Sequence, residues 1–310
     1  MTKKYLKLAQ LGKNQGWRYL VSITLILFFW MFLGVIPYSV LLSIVLFDNN
    51  PNTTFDEATQ RIEGIDVIWS YITLNFAFVF FALGLYLAVL LIHKRSLLTL
   101  ITPRDRINWK RIIEGFSIYF VLLLAIDLIN YLVFNASYQL TFEAEKFLVF
   151  LPIALILTPI QTTIEELFFR GYLIQLFGLK FNSFLSILFS SLIFCLVHLL
   201  NPEVLSSQSS LIFWIGIYLT MGLFFAIITI KDNGLELAIA THAVNNLYVA
   251  LLVNYKFSAL PSPSIFLTEK LNPKTTLVAL LIINAIAYFI FFRKKNQIED
   301  DITNKNNASL

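Results

Sequence analysis

Residues 163–173 read T-I-E-E-L-F-F-R-G-Y-L and place three charged side chains inside an apolar run, Phe147–Phe177. An ionisable side chain in hydrocarbon costs about 2.5 kcal/mol or more, so such residues usually face a bundle interior and have partners. Glu166 and Arg170 are spaced i, i+4 and can form an ion pair on one helix face. Adjacent helical residues point about 100° apart, which leaves Glu165 for other work, such as that of a general base. The alternative is a buried, purely structural network of all three charges.

The remaining sequence is as apolar as this run. Of 310 residues, 58% are hydrophobic and 14% are charged, whereas a soluble domain carries about 25% charged residues. This composition excludes a soluble enzyme and a disordered chain, and it predicts an integral membrane protein. Eight stretches approach the roughly 20 apolar residues that a membrane span needs. They are Tyr19–Phe47, Val67–Ile92, Ile112–Phe134, Phe147–Phe177, Ser183–Leu200, Leu211–Ile230, Leu235–Val253 and Thr276–Phe292.

The predicted fold is therefore all-α, a polytopic membrane helical bundle of about eight transmembrane helices. The long fourth stretch contains Pro152 and Pro159 and is expected to be kinked or interrupted near Pro159. We expect one transmembrane domain at 19–292, with a catalytic core at about 147–253. It is flanked by a basic tail, 1–18, and by a tail, 293–310, that we expect to be disordered.

The basic residues predict the orientation of this bundle. Eight spans in alternation put 17 of the 23 Lys and Arg residues on the side that holds both termini, and five on the other side. Cytoplasmic loops carry the excess of Lys and Arg, so both termini are predicted to be cytoplasmic. The net charge of +4 is small, and we expect no nucleic acid partner.

Two further helices carry polar residues at helical spacing. In S-L-I-F-C-L-V-H-L-L, His198 lies one turn after Phe194; in L-A-I-A-T-H-A-V-N-N-L, His242 and Asn246 are spaced i, i+4. A lone His on an apolar helix is more often a hydrogen-bonded core residue, and the pair at 242 and 246 could simply join two helices. At 1.5 Å per residue, however, these residues and Glu165 reach overlapping depths of about 10–22 Å from the cytoplasmic ends of their spans.

A glutamate, two histidines and an asparagine in one dry cavity would suit hydrolysis. Glu165 and His198 could deprotonate a water, while His242 and Asn246 donate hydrogen bonds to the oxyanion. Alternatively, Glu165, His198 and His242 could hold a catalytic zinc ion, although the zincin motif H-E-x-x-H is absent.

These residues resemble the signature of the CPBP family of intramembrane proteases, also called Rce1-like, CAAX prenyl protease 2-like or Abi proteins. Its three motifs, E-E-x-x-x-R, F-x-x-x-H and H-x-x-x-N, occur in order on three helices. Here they begin at Glu165, Phe194 and His242 and match without departure, within roughly Ile160–Leu252.

The resemblance implies an eight-span fold whose site lies within the membrane and opens towards the cytoplasm. It implies that Glu165 and His198 activate water, that His242 and Asn246 form the oxyanion site, and that Glu166 and Arg170 support them. The cofactor is zinc or none. The substrate is expected to be a membrane peptide or a lipidated protein, and the location a prokaryotic plasma membrane.

Two other functions remain open at this point. The chain could be a catalytically silent immunity or scaffold protein in the bilayer. It could also be a proton-coupled transporter with Glu165, Arg170 and Asp127 along its path, although no inverted repeat supports this. For Asp127, with Asn130 one turn away, we prefer a structural role. The sequence does not indicate an oligomeric state.

Overall fold

The structure of the protein is a computed structural model. It describes residues 4–57, 61–134, 136–268 and 271–307. A 3-10 helix, Lys4–Leu11, comes first. The helices that follow are α1 (Gly16–Phe47), α2 (Val67–Ile92), α3 (Leu98–Ile101), α4 (Trp109–Phe134), α5 (Ala144–Gly178), α6 (Ser183–His198), α7 (Pro202–Leu205), α8 (Leu211–Asp232), α9 (Glu236–Leu251) and α10 (Pro273–Asn307). The strands are β1 (Thr54–Asp56), β2 (Arg61–Glu63), β3 (Gln139–Leu140), β4 (Val253–Tyr255) and β5 (Phe266–Thr268). The predicted all-α membrane bundle is confirmed.

Six helices of the described chain are long and apolar enough to cross a bilayer: α1, α2, α4, α5, α8 and α10. The fifth and seventh predicted spans instead form α6 and α9, each of 16 residues. A helix of that length rises about 24 Å, less than the roughly 30 Å of hydrocarbon. The chain turns after His198 towards Pro202, and β4 begins directly after α9. The eight predicted stretches are thus all helical, but two of them end early.

The short helices lie at the centre of the bundle. α9 packs against α4, α5 and α8, and α8 also packs against α6 and α10, while α2 packs against α5 and α1 packs against α2. The α6–α8 contact is close because Gly222 has no side chain. A Cβ atom there would lie 3.1 Å from both Cβ and O of Ser191. This packing brings α5, α6 and α9 to one point inside the molecule.

The geometry of α5 differs from the expectation in one detail. The helix continues as an α-helix through Pro152 and Pro159 to Glu166, and a π-helical segment, Leu167–Leu173, follows. The interruption therefore begins about two turns beyond Pro159. Such π segments often occur at functional sites. This one starts directly after the two glutamates.

The connections gather at two ends of the bundle. At the first, which we call the terminal end, Lys13 N donates to His93 O (2.7 Å) and Leu235 N donates to Ile101 O (2.8 Å). This end holds the N-terminal segment, the α2–α4 connection and the α8–α9 connection. There, α10 continues as a helix to Asn307, over most of the tail for which we expected disorder. Extending a formed helix needs no new nucleus, whereas starting one does.

The opposite end, which we call the sheet end, holds the other connections. β1 and β2 form a hairpin, and β5 lies between β3, its antiparallel neighbour, and β4, its parallel neighbour. Arg61 donates to the carbonyl oxygen of Ser258 at 2.5 Å, which ties the hairpin to the α9–α10 connection. Hydrogen bonds thus join the described connections of the sheet end to one another.

Candidate active site

The charged residues of α5 are buried and partnered. Arg170 Nη1 donates to Glu166 Oε1 at 2.7 Å, and neither side chain is exposed. Arg170 Nη2 donates to the carbonyl oxygen of Gly222 on α8 at 3.4 Å. The expected i, i+4 ion pair is present and also joins two helices.

His242 extends this network to α9. Its Nδ1 lies 2.8 Å from Glu166 Oε1, so one carboxylate oxygen accepts from both Arg170 and His242. The sequence did not indicate this contact, because residues 166 and 242 lie on different helices. Phe225 stacks on the His242 ring with 5.0 Å between ring centroids. Glu166 and Phe225 together fix the position of the imidazole.

Glu165 points at the other nitrogen of each histidine. Glu165 Oε2 lies 3.6 Å from His242 Nε2 and 3.9 Å from His198 Nε2. This oxygen is buried and has no hydrogen-bond partner among the described residues. Glu165, His198 and His242 thus meet at one point, as the depth estimate predicted for separate helices.

The hydrogen bonds of the two rings determine where their protons lie. His198 Nδ1 lies 2.8 Å from the carbonyl oxygen of Phe194, and His242 Nδ1 contacts the Glu166 carboxylate. Carbonyl and carboxylate oxygens only accept, so each Nδ1 carries hydrogen. In a neutral ring Nε2 is then an acceptor. Three acceptor atoms, Oε2 of Glu165 and both Nε2 atoms, therefore converge.

Charge counting shows that this arrangement needs one more positive charge. Two carboxylates and the Arg170 guanidinium sum to one negative charge in a buried site. An unpaired buried charge is costly, so it is neutralised where possible. A proton on His242 Nε2 would neutralise the cluster and would supply a donor between the three acceptors. The Arg170 guanidinium also lies over the Phe194 ring, 4.1 Å from its centroid, and this stabilises it away from water.

Zinc would be another source of positive charge, and the donor types would suit it. Zinc bonds of about 2.0–2.2 Å at tetrahedral angles hold neighbouring donor atoms roughly 3.3–3.5 Å apart. The separations of 3.6 and 3.9 Å here are wider. No group of three His, Cys, Asp or Glu residues within the described chain is close enough to hold a metal ion. As arranged, the three side chains do not fit a metal.

The site forms the floor of a cavity of about 1010 Å³, at the upper limit of the usual range for ligand pockets. His198, His242 and Asn246 line it, together with Asn245 and Gln161. Asn245 Nδ2 donates to Asn246 Oδ1 at 3.1 Å, which leaves the Asn246 amide nitrogen free to donate into the cavity. Every sequence-predicted residue of the site therefore lies at this floor or directly behind it.

The mouth of the cavity lies at the sheet end. Its outer lining comes from the α4–α5, α6–α8 and α9–α10 connections, for example Tyr138, Asn201 and Ser258. None of the described lining residues comes from the connections of the terminal end. We expected a cavity that opens to the cytoplasm together with cytoplasmic termini. In this structure those two expectations cannot both hold.

Asp127 lies on the cavity wall. It accepts hydrogen bonds from Tyr138 (3.0 Å) and from Tyr248 (2.7 Å), which belongs to α9. The carboxylate therefore joins α4 to the helix that carries His242 and Asn246. This supports the structural role that we preferred, at a position that a substrate would pass.

Tyr218 and Glu203 were not indicated by the sequence, since a tyrosine in an aromatic-rich span and an acid in a short connection carry no signal. The Tyr218 ring lies 5.0 Å from the His198 ring, and its hydroxyl donates to Glu203 at 2.5 Å. Glu203 also accepts from Asn201 Nδ2 (3.2 Å) and from the backbone N–H of Ala259 (2.9 Å). Burial raises the pKa of the Glu203 carboxyl, although these donors oppose the shift. Tyr218 thus connects the floor of the cavity, at His198, to the mouth.

Comparison with known proteins finds a family match in the middle of the chain. A family model described as type II CAAX prenyl endopeptidase Rce1-like matches residues 144–248. This interval contains Glu165, His198, His242 and Asn246. The chain is also 35% identical over 297 residues to the uncharacterized protein YyaK of Bacillus subtilis (strain 168), which covers 92% of this chain and 95% of that protein. The likeness to YyaK therefore includes α1 and α2, outside the family match.

Proposed function

We propose that this chain, which belongs to the Rce1-like family of type II CAAX prenyl endopeptidases, hydrolyses a peptide bond of a membrane-associated substrate. One observation carries the proposal. A buried carboxylate oxygen of Glu165, without a hydrogen-bond partner among the described residues, faces two imidazole nitrogens at the floor of a cavity. A general base must be able to reach the proton that it removes, and a water in this gap would be in reach.

In the proposed reaction, Glu165 Oε2 and His198 Nε2 accept the two hydrogens of a water molecule. The water oxygen attacks the scissile carbonyl carbon while Glu165 takes one proton. The carbonyl oxygen becomes an oxyanion that receives hydrogen bonds from His242 Nε2–H and the Asn246 amide. Preorganised donors of this kind stabilise the transition state by several kcal/mol. Glu165 then returns the proton to the departing amine.

Glu166 and Arg170 act indirectly in this scheme. Glu166 accepts the Nδ1–H of His242, which holds the ring with Nε2 towards Glu165. Arg170 keeps Glu166 in place through its 2.7 Å contact. No step of this scheme is assigned to a metal.

The cavity shape separates this proposal from transport. A transporter needs access to its site from both sides in turn, usually through broken helices in two repeated halves. The described lining residues connect the site with the sheet end alone. A silent scaffold protein shares this shape, so only a measurement of cleavage distinguishes it from a peptidase.

We therefore predict cleavage that depends on Glu165. Purified wild-type protein or the Glu165→Gln variant is added to detergent-opened membranes of a strain that lacks the gene, and new N-termini are identified by terminal-amine labelling and mass spectrometry. Wild type should generate products, and Glu165→Gln should lower their rate by about 100-fold or more, the usual contribution of a general base. Glu145→Gln, an exposed change on the same helix, is the control. Equal products from wild type and Glu165→Gln would refute the peptidase role and favour the scaffold.

A further inference from the structure

The cavity opens at one end of the bundle, and the distribution of basic residues indicates which side of the membrane this end faces. The outer lining belongs to residues 136–143, 199–210 and 252–272, all at the sheet end. The catalytic floor therefore communicates with the end of the bundle that lies away from the described N-terminal segment.

The terminal end is closed by partly buried polar contacts. Arg111 pairs with Asp232 at 2.9 Å, and Arg104 with Glu236 at 3.3 Å. The backbone N–H of Tyr5 donates to Asn233 at 2.8 Å. These contacts join the N-terminal segment, the α2–α4 connection and the α8–α9 connection below the catalytic cluster. A substrate could not reach the site from there without separating them.

The two ends differ strongly in basic residues. Among the described residues, the terminal end and the part of α10 that continues from it hold 16 Lys and Arg residues, and the sheet end holds four. All connections are short, and short loops are those for which an excess of Lys and Arg marks the cytoplasmic side. The terminal end is therefore cytoplasmic by this rule, and the sheet end lies outside.

We infer that the active-site cavity opens on the extracytoplasmic side of the membrane. The substrate is then a peptide segment that is presented from outside: an exported membrane-anchored peptide or the outer juxtamembrane segment of a membrane protein. That the cavity receives a substrate rests on the proposed function. The direction in which the cavity opens rests on geometry and charge alone. A C-terminal segment presented at the cytoplasmic surface would have no route to Glu165.

The lining of the cavity fits such a segment. Its mouth is polar, with Asn201, Ser258 and Asn272, and its walls are apolar, with Ile126 on α4 and Ile283 on α10. A peptide segment that leaves the bilayer at the outer interface likewise passes from apolar to polar surroundings. The cavity can therefore receive it without carrying it through water.

The wall of the cavity on α10 is apolar and accessible. Val278 and Ile282 both line the cavity and are 52% and 47% exposed. The described acids of the lining, Asp127 and Glu203, are both engaged by tyrosine hydroxyls. The cavity thus offers few free charges, and we expect a largely uncharged peptide.

The direction of the opening is tested by sided labelling. In a Cys195→Ala background, Lys274→Cys places an exposed thiol at the mouth, and Lys110→Cys places one at the terminal end. Intact cells are treated with a membrane-impermeant maleimide that carries polyethylene glycol, with and without permeabilisation. We expect Lys274→Cys to be labelled in intact cells and Lys110→Cys only after permeabilisation. The reverse pattern would overturn the inference.

The same cells test the substrate class. Labelling Lys274→Cys from outside should block the cleavage that this variant shows when unlabelled, and new N-termini in substrates should map to the outer side of their spans. Termini on the cytoplasmic side, or cleavage unaffected by a fully labelled mouth, would overturn the inference while the peptidase role stands. If wild type yields no cleavage products, the peptidase role fails, and the labelling pattern alone still decides where the cavity opens.

Discussion

At the scale of single residues, the site is governed by three acceptor atoms that face one another. Glu165 Oε2 and the Nε2 atoms of His198 and His242 converge because the opposite nitrogen of each ring is already used as a donor. The lone pairs of neighbouring acceptor atoms repel one another, so a proton or a cation must lie between these atoms. The same tautomer, Nε2 free and Nδ1–H engaged, would suit a metal ligand.

We predict that activity does not need a metal. The protein is purified, dialysed against a zinc chelator and analysed for metal content, and cleavage is measured before and after. Because the donors are spaced more widely than zinc requires, activity should be unchanged and zinc should be far below one ion per chain. A stoichiometric zinc ion whose removal abolishes cleavage and whose return restores it would contradict this account.

At the scale of elements, Arg170 connects the π segment of α5 to its neighbours. It pairs with Glu166 on its own helix and donates to Gly222 O on α8, at the place where α8 and α6 approach closely. The i, i+4 pair could be predicted from the sequence, since both residues share a helix face. The contact with Gly222 could not, because it depends on how two helices cross.

Replacing Arg170 by methionine should destabilise the protein, because Glu166 loses its guanidinium partner. Removing one member of a buried pair typically costs about 3–5 kcal/mol. The midpoint of thermal unfolding in detergent should fall clearly for Arg170→Met and be partly restored in Glu166→Gln/Arg170→Met, which removes both charges.

Lys146→Met, which breaks an exposed pair with Glu143, serves as the control for this measurement and should leave the midpoint unchanged. The single and double variants would unfold at the same temperature if the ion pair did not matter. That result would remove the account of Arg170 as the partner that stabilises Glu166.

At the scale of the whole molecule, a buried glutamate secures the connections at each end. Glu203 accepts from Tyr218, Asn201 and the backbone of Ala259 at the sheet end. Glu236 accepts from Arg104 and from the backbone N–H of Asn108 at the terminal end. Each carboxylate thus holds together segments that are distant in sequence.

We predict that the two ends can be loosened independently. Glu203→Ala should raise amide hydrogen exchange at residues 253–268 and leave residues 98–111 unchanged, because its partners are all at the sheet end. Glu236→Ala should do the reverse. Hydrogen exchange with mass spectrometry in detergent checks both variants against wild type. Faster exchange at both ends in either variant would show that the bundle responds as one unit.

Contacts between residues that are close in the sequence could be predicted, whereas contacts between distant residues could not. Spacing within one helix predicted the pairing of Glu166 with Arg170, and composition predicted the membrane bundle. The contact between Glu166 and His242 joins residues 76 positions apart, and no local pattern encodes it. The lengths of α6 and α9 were overestimated because apolar residues continue past the points where the chain turns. The end at which the cavity opens could be identified only from the positions of the connections in the structure.

A cavity with one mouth has a consequence for the cell that carries it. Hydrolysis inside a bilayer needs a steady supply of water, yet a continuous wet path across the membrane would let protons and sodium leak and would dissipate the ion gradients that drive energy metabolism. Here water can enter from one face while the ion-paired layer around Asp232 and Glu236 keeps the opposite face shut. Water can therefore reach the site without discharging the membrane.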